Sequence, residues 1–186
     1  MILKREEALA LLEEHLEAEH MRRHCLAAEA ILRDLAAWLG HDPEKWGLAG
    51  LLHDLDHYQT RDHPALHTLV TATLLEKKGV DPEVIQAIKA HNAEELGLER
   101  RTPLDYALSA AETMSGMVVA ATLVLRDKKI RSLPEETLVA RVRDSKFALA
   151  VNRDKVCLCE KIGLSLEEFA ALSLKAMSRI DKELGL

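Results

Sequence analysis

Apolar residues recur at helical spacing along the whole chain, and no stretch alternates apolar and polar residues with a period of two. Leu9, Leu12 and Leu16 form such a stripe in the first segment. A second segment, residues 20–39, has the same periodicity and is followed by Gly40, a residue type that commonly ends helices. This spacing predicts an all-α protein.

Helix starts are marked by a capping residue followed by proline at three places. These pairs are Asp42 and Pro43, Asp81 and Pro82, and Thr102 and Pro103. Ser165 and Glu168 have the spacing of a capping box. The helix that starts after Asp42 is predicted to continue through residues 50–60. Short linkers and the lack of internal repeats predict one compact bundle of about eight or nine helices.

The composition is typical of a globular domain, with 48% hydrophobic and 30% charged residues over 186 positions. A formal net charge of -6 argues against a nucleic-acid partner bound by bulk electrostatics. It leaves room for a small phosphorylated ligand in a local basic pocket. No apolar run reaches the roughly 20 residues of a membrane span, so we expect no membrane partner.

Three cysteines, Cys25, Cys157 and Cys159, are present. An odd number without a signal-like N-terminus indicates reduced thiols in the cytoplasm. Cys157 and Cys159 are separated by one residue, a poor chelating spacing, and no second pair accompanies them. A metal or redox motif is therefore the weaker interpretation of this pair.

All nine histidines lie in the first half of the chain, and one is part of the His53–Asp54 doublet. Adjacent residues on a helix point about 100° apart, so the two side chains can flank one groove and bind the same ion. Alternatively, Asp54 can bridge two ions. Imidazole and carboxylate together suit zinc, iron or manganese, and a metal removes the cost of burying an unpaired carboxylate.

Further candidate ligands lie on other predicted helices. His24 is surrounded by apolar residues in the second helix, and His91 ends the helix that follows Pro82. His67 lies one turn after His63, and we prefer it because we expect it well inside a helix, among Leu66, Leu69 and Val70. Glu112 is the one acid in a run of small and apolar residues, where it is either a ligand or a hydrogen-bonding group between helices.

Four stretches carry a resemblance to a known family: RRHCLAAEAIL, GLLHDLDH, AIKAHN and SAAETMSGMVVAA. Their order and intervals resemble the HD-domain superfamily of metal-dependent phosphohydrolases, most of all a group of small prokaryotic HD proteins. The tail FALAVNRDKVCLCEKIGLSLEEFAALSLKAM is similar to that group as well. The resemblance therefore covers nearly the whole chain.

The resemblance implies a ligand set. The core metal ligands fall on His24, His53, Asp54 and a helix acid that is usually aspartate in the family and is Glu112 here. Members with two metals add two histidines, which map to His67 and His91, with Asp54 as the bridging carboxylate. His63 competes with His67 because His-Pro motifs supply a ligand in some relatives.

The resemblance also implies an activity. One or two divalent ions (Mn, Fe, Zn, Co, Ni or Mg) would activate water to cleave a phosphomonoester or phosphodiester, a nucleotide among them. Independently of the resemblance, Asp56 would orient a ligand imidazole, and Asp56 or His57 would relay a proton to the leaving group. Alternatively, both are residues of a solvated helix end. The candidate phosphate-binding residues are Arg23, Lys89 and Arg153.

Residues 1–127 are predicted to form the metal-binding helical core, and residues 128–186 a C-terminal helical cap within one domain, 1–186. The sequence is compatible with a homodimer and does not determine the oligomeric state. The alternative functions are a mixed-valent di-iron oxygenase of the HD type and a degenerate HD protein that binds a ligand without turnover.

Overall fold

The computed structural model describes residues 3–186, and within that range the chain is helical and contains no strand. Met1 and Ile2 of the predicted domain lie outside the described residues. Eight helices have nine or more residues: α1 Arg5–His15, α2 Glu19–Leu39, α3 Pro43–Leu52, α5 Leu69–Lys77, α6 Pro82–His91, α8 Pro103–Leu123, α9 Glu135–Arg143 and α11 Leu166–Ser178. Four more have a single turn: α4 His57–Thr60, α7 Ala93–Leu96, α10 Arg153–Val156 and α12 Asp181–Leu184. Short 3-10 segments are Pro64–Leu66, Ile130–Ser132 and Cys157–Ile162.

The prediction of an all-α bundle is confirmed. Within the described residues, the eight long helices agree with the predicted number. The four single-turn helices were not predicted because one turn is too short to show a periodicity. No helix among these residues has both the length and the apolar character needed to cross a membrane.

The helix caps formed as predicted. The Asp42 side chain accepts hydrogen bonds from the first turn of α3, and the Asp81 side chain does the same for α6. Thr102 and Asp105 form a reciprocal capping box at the start of α8. Gly40 ends α2 with a left-handed φ of 77°, which glycine adopts without a steric penalty.

The two 21-residue helices α2 and α8 form the centre of the core, and α3 and α6 pack against them. Gly50 allows α3 to approach α2 closely. A Cβ atom at this position would lie 2.7 Å from the main-chain nitrogen of Glu29, within α2. The close approach brings the end of α3 next to the part of α2 that carries His24.

The prediction of one helix through residues 50–60 was wrong. α3 ends at Leu52, a turn covers residues 53–56, and α4 starts at His57. The main-chain nitrogen of Asp56 donates to Thr71 Oγ1 at 3.1 Å instead of to a helical carbonyl. This contact with a residue 15 positions away replaces helical hydrogen bonding, so periodicity could not predict it.

The C-terminal residues pack around the same two long helices. α11 contacts α2, α8 and α9, while α12 contacts α2. Phe169, Leu174 and Met177 of α11 are buried. The boundary between residues 127 and 128 stays a prediction, because the buried side chains form one continuous cluster.

Candidate metal centre

Asp54 lies between two pairs of histidines, and each of its carboxylate oxygens faces one pair. Oδ2 lies 3.9 Å from His24 Nε2 and 3.6 Å from His53 Nε2. Oδ1 lies 3.2 Å from His67 Nε2 and 3.5 Å from His91 Nε2. Within each pair the two Nε2 atoms are 3.2 Å apart. The five side chains thus form two groups with metal-ligand spacing that share Asp54.

Different elements supply the five side chains. His24 belongs to α2, while His53 and Asp54 belong to the turn that follows α3. His67 lies just before α5, and His91 is the last residue of α6. The site therefore forms only when α2, α3 and α6 are packed together.

Hydrogen bonds on the far side of the rings determine which nitrogen faces Asp54. His53 Nδ1 lies 2.8 Å from the carbonyl oxygen of Gly50, and His91 Nδ1 lies 2.7 Å from that of Ile88. A carbonyl only accepts, so each Nδ1 carries a proton in the neutral ring. Each Nε2 atom then presents a lone pair toward Asp54, as a metal ligand does.

His24 reaches the same tautomer through Ser115. The Ser115 hydroxyl donates its hydrogen to the carbonyl of Glu112 at 2.7 Å, so it accepts from His24 Nδ1 at 3.1 Å. The Nε2 lone pairs of His24 and His53 thus face each other at 3.2 Å without a proton between them. They repel unless a cation lies between them. Imidazole nitrogens and a carboxylate are donors that suit divalent transition metals, so the residues fit a metal site.

The first group consists of His24, His53 and Asp54, and the second of Asp54, His67 and His91. The pKa values of the first group agree with this arrangement. Burial lowers the pKa of His24 and His53, and the proximity of His53 lowers that of His24 further, so both rings are neutral. Burial would raise the pKa of Asp54. The neighbouring imidazoles, His53 first and then His67 and His91, instead hold the pKa of Asp54 well below the usual value, so the carboxylate is ionised.

His67 differs from the other three histidines because it lies between two carboxylates. Burial would lower its pKa, but hydrogen bonds with Asp54 and Asp56 and their negative charges raise the pKa to about 9. In the metal-free protein His67 is therefore protonated at neutral pH. A metal ion at this position has to displace that proton.

Asp56 contacts Nδ1 at the edge of the His67 ring and is 1% exposed. Its Oδ1 lies 2.8 Å from His67 Nδ1, and its Oδ2 accepts from the main-chain nitrogen of Thr71 at 2.9 Å. The geometry thus favours an orienting role for Asp56. His57 is half-buried against Tyr58 as the first residue of α4 and lies outside both groups. Proton relay by either residue stays a prediction.

His67, and not His63, lies at Asp54, but the predicted reason was wrong. His67 follows the 3-10 segment Pro64–Leu66 and precedes α5, so it is not inside a helix. Its neighbours Leu66, Leu69 and Val70 are all exposed, as is His63. The next residue, Thr68, has a left-handed φ of 75°, which is strained for a β-branched side chain.

Glu112 lies half-buried on α8 and outside both groups. Its Oε1 accepts a hydrogen bond from Thr113 Oγ1 at 2.7 Å. It is close enough for its charge to raise the pKa of His24 and His53 against the effect of burial. Direct ligation by Glu112 stays a prediction.

The three basic residues proposed from the sequence have different surroundings. Arg23 pairs with Glu19 at 2.5 Å, and Lys89 is half-buried on α6. The Arg153 guanidinium donates to four main-chain carbonyls of the preceding loop, those of Asp144, Phe147, Ala148 and Val151. Arg153 therefore holds that loop in place, and substrate contacts by the three residues stay predictions.

Sequence reasoning missed Ser115, Arg100 and Lys155. Lys155 Nζ donates to the main-chain carbonyl of His91 at 2.8 Å, and Arg100 Nη2 donates to it at 3.4 Å. Both cations also pair with Glu94. Ser115 lies one helical turn after Glu112, which is a signal that could have identified it. Lys155 is 64 residues from His91 and no local pattern connects them.

A cavity of about 830 Å³ lies elsewhere, between α2 and α11. Trp38, Ile130 and Leu172 are among the residues that line it, and none of its lining residues belongs to the two groups around Asp54. The candidate metal centre is therefore recognised by its converging donor atoms and not by this cavity.

Comparisons with known proteins agree with the site. The sequence model of the HD domain family matches residues 21–143, which include the five residues around Asp54. Ribonuclease Y of Desulfotalea psychrophila is 25% identical over 169 residues, which cover 89% of this chain and 32% of the relative. Ribonuclease Y of Lawsonia intracellularis is 30% identical over 115 residues, covering 62% of this chain and 22% of the relative.

The aligned region is thus only about a third or less of the length of these relatives. No solved structure matches the chain significantly. The match to the HD domain model covers more than half of the chain and contains both histidine pairs and the His53–Asp54 doublet. The chain therefore belongs to the HD domain family, as its resemblance to that family predicted.

Proposed function

We propose that this protein is a metal-dependent phosphohydrolase that cleaves a phosphoester with a metal-activated water. The position of Asp54 is the observation that carries this proposal, since each of its oxygens faces a separate pair of histidine Nε2 atoms. His24 and His53 would hold one divalent ion, and His67 and His91 a second. Asp54 would contact both ions.

Bound divalent ions lower the pKa of water and polarise a phosphoryl oxygen. The protein residues prepare the site for them. Carbonyls and Ser115 orient the rings of His24, His53 and His91 with their lone pairs inward. Asp56 orients His67. Because these contacts exist before an ion binds, little reorganisation is needed on loading.

The proposed substrate is a short phosphodiester or a phosphomonoester, with nucleotides and short RNA as the first candidates. The relatives reported above are named ribonucleases, which supports a phosphodiester of RNA. The net charge of -6 favours a short substrate, because long-range attraction to a polyphosphate chain needs a positive surface.

The test combines elemental analysis with a hydrolysis panel. The purified protein would be loaded with Mn, Co, Ni, Zn, Fe or Mg. It would then be assayed on bis-p-nitrophenyl phosphate, p-nitrophenyl phosphate, nucleotides and short oligoribonucleotides. We expect up to two ions per chain and hydrolysis that depends on them. Asp54→Asn should lose both the ions and the hydrolysis.

His63→Ala is the matched control, because this exposed histidine is four residues from His67 and outside both groups. It should keep full metal content and activity. A wild-type protein that binds no ion after loading, or an Asp54→Asn variant with unchanged hydrolysis, would refute the proposal. Absorption of a di-iron centre with substrate oxidation would favour the oxygenase instead, since these donors also suit iron.

A further inference from the structure

Between α4 and α5, the segment that carries His67 contains one short 3-10 segment as its regular structure. Residues 61–66 are all exposed, and His67 lies between the 3-10 segment Pro64–Leu66 and the left-handed Thr68. The other three histidines lie on helices or directly at the end of one. A specific contact is therefore needed to keep His67 at metal-binding distance from His91.

Asn92 makes that contact. It directly follows His91, and its side-chain amide donates to the carbonyl oxygens of Pro64, at 2.9 Å, and of His67, at 3.2 Å. An asparagine amide has two N–H donors, and both are used here on the same short loop. Asn92 is joined to His91 by the peptide bond and to the His67 loop by hydrogen bonds to main-chain carbonyls. It thus links the two histidines of one metal group.

The remaining hydrogen bonds of the loop cannot replace this link. His63, Leu66 and His67 donate main-chain hydrogen bonds to carbonyls only three residues earlier, so these bonds shape the loop without attaching it to α6. Asp56 and Thr60 lie 2.8 and 3.4 Å from Nδ1 of the His67 ring, but they belong to the turn after α3 and to α4. Among the described residues, the hydrogen bonds of the Asn92 side chain connect the main chain of the loop to the end of α6.

We propose that Asn92 is a positioning residue that fixes the His67 loop to α6. It thereby places His67 and His91 so that, together with Asp54, they can bind a metal ion. The inference builds on the proposed metal-dependent function. The first group depends on α2 and on the turn after α3, and Asn92 hydrogen-bonds to neither. Loss of the Asn92 amide should therefore weaken one ion and leave the other bound.

The test is a Mn²⁺ titration of the full chain with wild type, Asn92→Ala and Asn92→Asp. Aspartate keeps the size of the side chain but has no N–H to donate and repels both carbonyls. We expect both variants to bind the second ion about 10-fold or more weakly and the first ion as in wild type. Electron paramagnetic resonance should change from a spin-coupled pair to a signal of isolated Mn²⁺.

Ser165→Ala is the control for stability, since it removes the capping box of α11 far from the loop in sequence. It should keep both ions. Two ions bound with wild-type affinity in Asn92→Asp would overturn the inference. Loss of both ions would also overturn it, because it would show a general role in folding and not a selective one.

A readout without metal separates this inference from the proposed function. Hydrogen exchange of the metal-free protein should become faster in residues 61–68 of both Asn92 variants and stay unchanged in α2. If the wild type binds no metal, the proposed function fails, while this measurement still tests whether Asn92 fixes the His67 loop to α6. If exchange in residues 61–68 does not change, that role of Asn92 is refuted.

Discussion

The side-chain nitrogen of Lys155 lies 2.8 Å from the main-chain carbonyl oxygen of His91 and donates a hydrogen bond to it. His91 ends α6, so this cation lies at the negative end of the helix dipole. Lys155 is outside residues 21–143, the region that matches the HD domain family. The C-terminal part of the chain therefore contributes directly to the position of a candidate ligand.

Lys155→Met should loosen the end of α6, because the methionine side chain keeps much of the apolar stem but cannot donate a hydrogen bond. We expect a loss of about 1 kcal/mol in the free energy of unfolding. We also expect metal binding at His67 and His91 to weaken severalfold. Urea unfolding and metal titration measure the two effects. Lys175→Met, at an exposed position of α11, is the control, and equal behaviour of the two variants would contradict the prediction.

Ser115→Ala should affect the opposite half of the site. The variant leaves Nδ1 of His24 without its acceptor, so the ring is no longer held with Nε2 toward Asp54. Removal of such an orienting partner typically weakens metal binding about 10-fold. We expect that loss at His24 and His53 alone, measured by metal titration. Ser173→Ala replaces another buried serine, on α11, and should bind both ions normally.

The stability of the metal-free protein should fall between pH 6.5 and 9 because of His67. Its pKa is about 9 in the folded protein and 6.5 in a model compound, so protonation stabilises the fold fully below pH 6.5. The contribution is lost as the pH rises through 9 and is on the order of 3 kcal/mol. Urea unfolding at pH 6, 7.5 and 9 tests this, and His67→Asn should flatten the dependence.

Metal binding should release the same proton. Below pH 9 an ion at His67 and His91 displaces the proton that His67 shares with Asp54, so the affinity of this group should rise from pH 7 to 9. Calorimetry in two buffers with different ionisation enthalpies counts the protons released. A pH-independent affinity with no proton release would show that His67 is not protonated in the metal-free protein.

The long helices were predictable because caps and apolar periodicity are local. Asp42, Asp81 and Thr102 act on amides two or three residues away, so the sequence around each start is sufficient. The turn at residues 53–56 was not predictable. It depends on Thr71, which lies 15 residues from Asp56 and has no recognisable spacing to it.

The candidate site shows the same limit. Residue type and buried surroundings identified His24, His53, Asp54 and His91 as candidates, and the structure brings their side chains together. The family resemblance indicated His67, but the reason for preferring it to His63 was a predicted helix that does not exist, and its contacts with Asn92 and Asp56 explain its position. These contacts span 25 and 11 residues, so they follow from the fold and not from a local pattern.

Glu112 provides the last prediction. The first group has three donors, His24, His53 and Asp54, which is fewer than the four that zinc takes and the six of an octahedral ion. Glu112 already acts on both histidines through its charge and reaches one methylene further than aspartate. We therefore expect Glu112→Gln to weaken the ion at His24 and His53 by about 10-fold and to spare the other ion.

Glu112→Asp should keep most of the affinity, because it retains the carboxylate and introduces the acid that the resemblance to HD proteins implies at this place. Glu76→Gln, which removes an exposed acid on α5, controls for the change in net charge. Metal titration and the melting temperature of the metal-free variants would be compared. If Glu112→Gln binds both ions as tightly as Glu76→Gln does, Glu112 is not a ligand, and the first group is completed by groups other than this acid.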